Sequence, residues 1–330
     1  MMRRSAARFV LAPAILVASL GFATPALANN MDLSLARFID CNSPTSCVPQ
    51  ISAYEQFLAE YMFGLAPKIL APAETLGYSG FYLGLEGSLT TVPGDTDRWF
   101  KGTVDENASD KVMFVPTLHM RKGLPWSFEL GGTINYLARS ELVALGGDVK
   151  WSLFEGYRNG WRGFLPDVAA RGSVVRVLGE SDADITIIGV DGSISKNFGI
   201  GGMVVLVPYV GLQYLWTMVR VEPLIYRDDT RPERGHPEWD SLDDQFHAPE
   251  GNKWDTTGLS GPNLTRMKLF FGLKFQYEVL VLTAELGWGM SSEWNTSLDE
   301  AASDPRAYEA QKKAKVGDQI QVALAVGTDF

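Results

Sequence analysis

The sequence predicts an all-β chain: a closed antiparallel transmembrane barrel of about ten strands, within a range of about eight to twelve. Three observations predict it. The N-terminus reads as an export leader, and period-two alternation of apolar and polar residues recurs along most of the remainder. No later stretch has the roughly 18 consecutive apolar residues that a membrane-spanning helix needs.

The leader comes first. Arg3, Arg4 and Arg8 form a basic region, Phe9 to Leu20 an apolar core, and Ala26-Leu27-Ala28 a small-x-small cleavage site, so residues 1–28 read as a signal peptide. The formal net charge is −10, and losing three arginines with the leader takes it to −10 − 3 = −13. That acidity excludes a nucleic-acid partner, which calls for a basic face.

Residues 29–76 form an N-terminal segment expected on the periplasmic side. It holds the only two cysteines, Cys41 and Cys47, and in an oxidising compartment this spacing points to a small disulfide loop. No histidine lies close enough in sequence to suggest a metal site instead. From Ser52 to Leu65 the residues Tyr54, Phe57, Leu58, Tyr61, Met62 and Leu65 recur at helical spacing. Ser52 and Glu55 fit a capping box, and Pro67 limits the far end. Such a helix plugs a barrel, lies on a membrane or docks an envelope partner; its simplest placement is against the periplasmic mouth.

Residues 77–330 carry the strands. The segments are Gly77–Leu89, Lys111–Arg121, Trp126–Ala138, two between about Leu142 and Leu178, Asp184–Lys196, Met203–Val221, Thr265–Gln276, Val279–Ser291 and Gly317–Phe330. Most reach the 9–11 or so residues that a tilted membrane strand requires. Asp184–Lys196 is the one whose alternation is blurred. Thr90–Asp110, Glu222–Leu264 and Ser292–Val316 are long connections, and all fall at one end of an even-stranded barrel. Asn159-Gly160 signals a two-residue hairpin, which would set Asp148 opposite Arg171. A tip at Arg139-Ser140 would set Glu129 opposite Lys150, with Asp191 in reach of Arg171.

The last strand alternates Ile320, Val322, Leu324 and Val326 with Gln319, Gln321, Ala323 and Ala325, and it ends on Phe330. This pattern resembles the closing strand of bacterial outer-membrane β-barrels. The resemblance implies that Phe330 is the signal read by that family's insertion machinery. It also implies an outer-membrane location, with lipid as the surrounding partner. It reaches the broad architecture, not one family within it.

Alternation places Glu86, Arg121, Glu129, Asp148, Lys150, Arg171, Asp191, Lys268, Lys274 and Glu285 inside the barrel. About ten strands lie nearer the filled barrels than the water-filled porins, so a paired network that stiffens a narrow lumen is the favoured reading. The leading functional expectation is a scaffold or recognition barrel displaying acidic outer loops. A narrow or gated conduit for a small solute, with the helix as plug, is the alternative. A membrane hydrolase built on His119, Ser127 and Glu129 is more remote. His236 and His247 beside Asp240, Asp243 and Asp244 read as a solvated acidic loop, and Gly199–Gly202 as a turn. No cofactor or metal site is expected. Interfacial girdles account for Trp126, Tyr157, Trp161 and Phe164 at one end and Tyr136, Trp216 and Trp288 at the other.

Overall fold

A computed structural model describes residues 31–43, 46–104, 111–156, 165–179, 183–221, 263–296 and 312–330. The leader, the Asn159-Gly160 tip, the aromatics Tyr157, Trp161 and Phe164, and the histidines of the longest connection lie outside the described residues.

Ten strands pair antiparallel, each with its neighbour in sequence. They are β3 Phe81–Thr91, β4 Val112–Leu124, β5 Phe128–Tyr136, β6 Val143–Phe154, β7 Asp167–Leu178, β8 Ala183–Ser195, β10 Val204–Val221, β11 Asn263–Tyr277, β12 Leu280–Gly289 and β15 Gln319–Asp329. A short extra strand, β9 Phe198–Ile200, folds onto β10, and β13 Ser292–Asn295 pairs with β14 Lys313–Val316 in the connection before β15. The barrel closes where β15 pairs with β3, from Gln321↔Thr90 to Asp329↔Tyr82. Phe330 completes the seam: its N–H and C=O exchange hydrogen bonds with Phe81, and the two rings stack at 5.9 Å. Closure leaves no open edge, so the strand backbones satisfy one another.

Burial alternates with period two along β3, β7 and β12. Leu83, Phe114, Val149, Leu212, Leu286 and Val322 face outward and are exposed, while Thr117, Lys150, Gln213 and Lys268 face inward and are buried. An apolar outer wall around a polar interior inverts the soluble plan and suits lipid. The connections 92–111, 222–262 and 290–318 all leave the same end of the barrel. By the rule that outer-membrane barrels carry long loops outside and short turns inside, this is the outer mouth.

Residues 51–76 occupy the lumen, while the chain before them bonds to the outer connections, Met31 N–H to the Arg139 carbonyl and Ser34 N–H to that of Gly102. A hairpin, β1 Ile39–Ser43 and β2 Ser46–Pro49, leads into a helix over Ile51–Leu65. That helix is placed in the outer half of the barrel rather than at the periplasmic mouth. The reason is its burial on every side: Tyr54, Phe57, Leu58, Tyr61, Met62, Phe63 and Leu65 pack into the lumen, and the buried Glu55 and Glu60 find donors in Trp294 and Trp99 at the outer end. Its Ser52 does not cap it. Gln50 is the N-cap, without a side-chain cap bond, and Ser52 Oγ donates to the Lys313 carbonyl. Pro67 does limit the far end, because the residue before a proline is driven out of helical geometry.

Enclosing this helix explains the blurred alternation of the sixth segment. In the outer half the inward positions are themselves apolar: Ile185 and Ile187 on β8, Val175 and Val177 on β7, Leu215 and Val219 on β10. Below the helix, residues 66–76 descend without regular structure to the inner mouth, where β3 begins.

Candidate functional site

The inner half of the lumen is a polar chamber built around residues 66–76, which form a strap. Its floor plan is one row of inward side chains on successive strands, joined by the pairings Glu129↔Lys150, Lys150↔Arg171, Arg171↔Asp191, Asp191↔Gln213 and Gln213↔Lys268. Two cations stand side by side in this row, an arrangement that repels on an open sheet. Here each has its own acid. Lys150 Nζ lies 3.0 Å from Glu129 Oε1, and Arg171 Nε donates to Asp191 Oδ2 at 2.9 Å.

The cations are also turned onto the strap. Lys150 Nζ donates to the carbonyls of Pro72 (3.2 Å) and Glu74 (3.0 Å), and Arg171 Nη1 to that of Lys68 (3.1 Å). The acids and amides take the other main-chain groups. Glu285 accepts from the Leu70 N–H at 2.8 Å and Glu129 from that of Leu76 at 3.0 Å. Ser195 Oγ accepts from the Ala73 N–H and Glu155 from that of Thr75, while Gln213 Nε2 donates to the Pro67 carbonyl. An irregular segment deep inside a barrel has no intrinsic partners for its backbone, so the wall must supply them. Each one left unmade costs about 1–3 kcal/mol.

The remaining inward charges fall into place around this row. Lys268 Nζ lies 3.4 Å from Glu285 and donates to Gln321 at 2.8 Å. Arg121 sits 3.5 Å from Glu129 and 3.9 Å above the Tyr82 ring. Glu86 takes His119 Nδ1 at 2.7 Å, with Asp148 Oδ2 3.7 Å from Nε2. Lys274 stands apart near the inner rim, 3.7 Å from Asp329 and only partly buried.

Two corrections concern placement. Arg171 pairs across from Lys150, and Asp148 from Ser173, so the hairpin register is displaced by two residues from that expected. The ladder shifts between Ser152 and Phe154 and ends at Phe154↔Val168. Asp148 still reaches Arg171 diagonally, at 3.8 Å, because a two-residue slip keeps every side chain on its face. The second correction is His119. Its ring nitrogens face Glu86 and Asp148, whereas Ser127 lies in the inner turn between β4 and β5. The expected base, nucleophile and acid are not assembled. No group of three or more potential metal ligands occurs among the described residues.

Cys41 and Cys47 are direct partners across the β1–β2 hairpin; their side chains lie outside the described residues. Sequence reasoning missed the strap. Its signal was present as Pro67 and Pro72 among small alanines, a stretch interrupted by prolines and without alternation.

At the outer end, Trp99 in a short helix over Asp97–Gly102 donates its indole N–H to Glu60, and Trp294 donates its own to Glu55. Two outer connections are thereby fastened to the plug helix. In the first of them the Lys111 ammonium donates to Asp95 and holds that exposed carboxyl below its ordinary range.

A closed ten-strand barrel with an apolar exterior, a polar lumen and long loops at one mouth is a transmembrane β-barrel of the bacterial outer-membrane type. No protein-family model and no curated protein matches the chain. Solved structures similar to it include the attachment invasion locus protein Ail of Yersinia pestis, at 10% identity over 77% of this chain and 99% of that one, TM-score 0.24. The N-terminal β-barrel domain of Pseudomonas aeruginosa OprF matches at 10% identity over 77% and 99%, TM-score 0.27. The translocator domain of the autotransporter NalP from Neisseria meningitidis matches at 9% over 77% and 89%, TM-score 0.35. These scores are low, and the class rests on the chain's own geometry.

Proposed function

We propose that this protein is a sealed outer-membrane scaffold that holds its long acidic connections at the cell surface for recognition. The observation that carries this reading is the filled lumen. The helix over Ile51–Leu65 occupies the outer half, the strap the inner half, and wall side chains hydrogen-bond the strap from Pro67 to Leu76. A segment held by that many buried bonds does not leave a standing aqueous path. The plug helix is buried along its length, so an envelope partner is better sought at the outer connections than at the helix. Single-channel recording of the purified protein in planar bilayers tests this: no steady conductance is expected, and an open channel at rest overturns it.

One observation favours a second reading, a gated conduit. Glu129, Lys150, Arg171, Asp191, Lys268 and Glu285 are all buried, and a wall meant only to be filled would gain as much from apolar side chains at lower desolvation cost. With the strap withdrawn, the same row would line a charged pore. Conductance appearing only in a variant whose strap is loosened, and not in the unmodified chain, would favour the conduit.

A further inference from the structure

The inner chamber binds its strap mainly through main-chain groups, with side-chain bonds added near the inner mouth, where Thr75 donates to Glu155 and Asn197 to Glu74. Arg171, Lys150, Glu285, Ser195, Glu129 and Gln213 contact carbonyls and N–H groups. The strap's side chains are small where the wall is closest: Ala71 and Ala73 are buried, and Pro67 and Pro72 flank the central turn of the path. Only two aliphatic side chains are individually lodged. Ile69 packs with Tyr209 and Phe270, and Leu70 with Ala323 and Ala325.

The strap also leaves polar capacity unused. Gln213 donates to the Pro67 carbonyl, yet its Oε1, in a side chain only 1% exposed, accepts nothing. Pro67 has no N–H to offer it. Beside Pro67 and Lys68 is a cavity with room for about one water, lined also by His119, Asp148 and Arg171. His119 Nε2 and Arg171 Nη2, both in side chains more than nine-tenths buried, have no hydrogen-bond partner among the described residues. A site evolved only to hold this one strap has no need of unspent donors and acceptors around its proline.

We infer that the inner chamber is a binding site for an extended polypeptide segment entering from the inner mouth, and that residues 66–76 are its resident, exchangeable occupant. The ligand is recognised as backbone, with a pair of adjacent aliphatic side chains setting its register. A residue with an N–H in the place of Pro67 brings a donor to the side of the chamber where Gln213 Oε1 lacks one. This goes beyond the scaffold reading and does not depend on it, since conductance and peptide binding are read separately.

The test uses the full mature chain in detergent micelles and fluorescent peptides copying residues 66–76. One copy carries the native sequence, one has alanine in place of Pro67, and a control has aspartate in place of both aliphatics. In the chain itself, Ile69→Ser with Leu70→Ser removes the strap's two anchors and leaves every wall residue intact. That variant should bind the native peptide at least about tenfold more tightly than the unmodified chain does. The alanine peptide should bind about fivefold more tightly than the native one, the worth of one net hydrogen bond. The aspartate control should not bind. Should the variant not fold, the unmodified chain decides. A peptide bearing a photo-crosslinker should then label lumen residues of β8, β10 or β11. No saturable binding by either chain, or crosslinks confined to the lipid face or outer connections, overturns the inference.

Discussion

Trp99 Nε1 donates a 2.8 Å hydrogen bond to Glu60 Oε2, joining a helix of an outer connection to the helix inside the barrel. Both residues are buried, and Arg98 closes over the same carboxylate at 2.8 Å. Truncating Glu60 to alanine strands the indole donor, at a cost of about 1–3 kcal/mol. Urea unfolding of Glu60→Ala in lipid vesicles should show that loss, together with faster proteolysis of the 92–111 connection. An unchanged midpoint would mean that the clasp contributes nothing.

The row of charges makes a second prediction. Arg171→Met leaves Asp191 buried beside no cation and should cost about 3–5 kcal/mol, whereas removing both should recover much of that. A double-mutant cycle measures it. Coupling should be larger for Arg171 with Asp191, at 2.9 Å, than with Asp148, at 3.8 Å. The reverse order would restore the register that a tight hairpin implies.

Gly272 faces the ring of Tyr209, whose hydroxyl donates to Glu285 at 2.9 Å. A methyl group at that glycine would collide with the ring. Gly272→Ala should therefore cost about 1–3 kcal/mol through overpacking. It should also loosen the strap where Glu285 holds Leu70, and accelerated proteolysis at residues 66–76 is the readout.

Orientation is testable on cells. Val104, next to the bridge between Leu33 and Thr103, is exposed at the outer mouth, and Tyr78 is exposed where the strap meets β3 at the inner mouth. In a background with Cys41 and Cys47 replaced by serine, Val104→Cys should react with an impermeant maleimide on intact cells. Tyr78→Cys should react only after the outer membrane is permeabilised. The opposite pattern would invert the barrel, and with it the surface-display reading.

The disulfide expected between Cys41 and Cys47 would join residues that pair directly across the hairpin. Thiol titration of the denatured mature protein should find no free thiol before reduction. Two free thiols would remove the crosslink from the account.

The sequence by itself determined which side chains face lipid and which face inward. That choice is local: with a period of two, parity alone decides it, and even a two-residue slip of register leaves it unchanged. So Lys150, Arg171 and Asp191 were legible as inward residues, and the Glu129–Lys150 pairing followed from a short tip at Arg139-Ser140. Phe330 was legible as an outward residue for the same reason, and its place at the seam came from the likeness of the last strand to the closing strands of outer-membrane barrels. What fills the cylinder was decided only by the tertiary structure. The plug helix shows an apolar face beside Glu55 and Glu60, a pattern that suits a surface helix as well as an enclosed one, and only the outer connections supply those acids with partners. The strap has no periodicity, because its backbone partners come from residues up to 215 positions away, as Leu70 and Glu285 are. Contacts of that range exist only once the barrel has closed around the chain that precedes it.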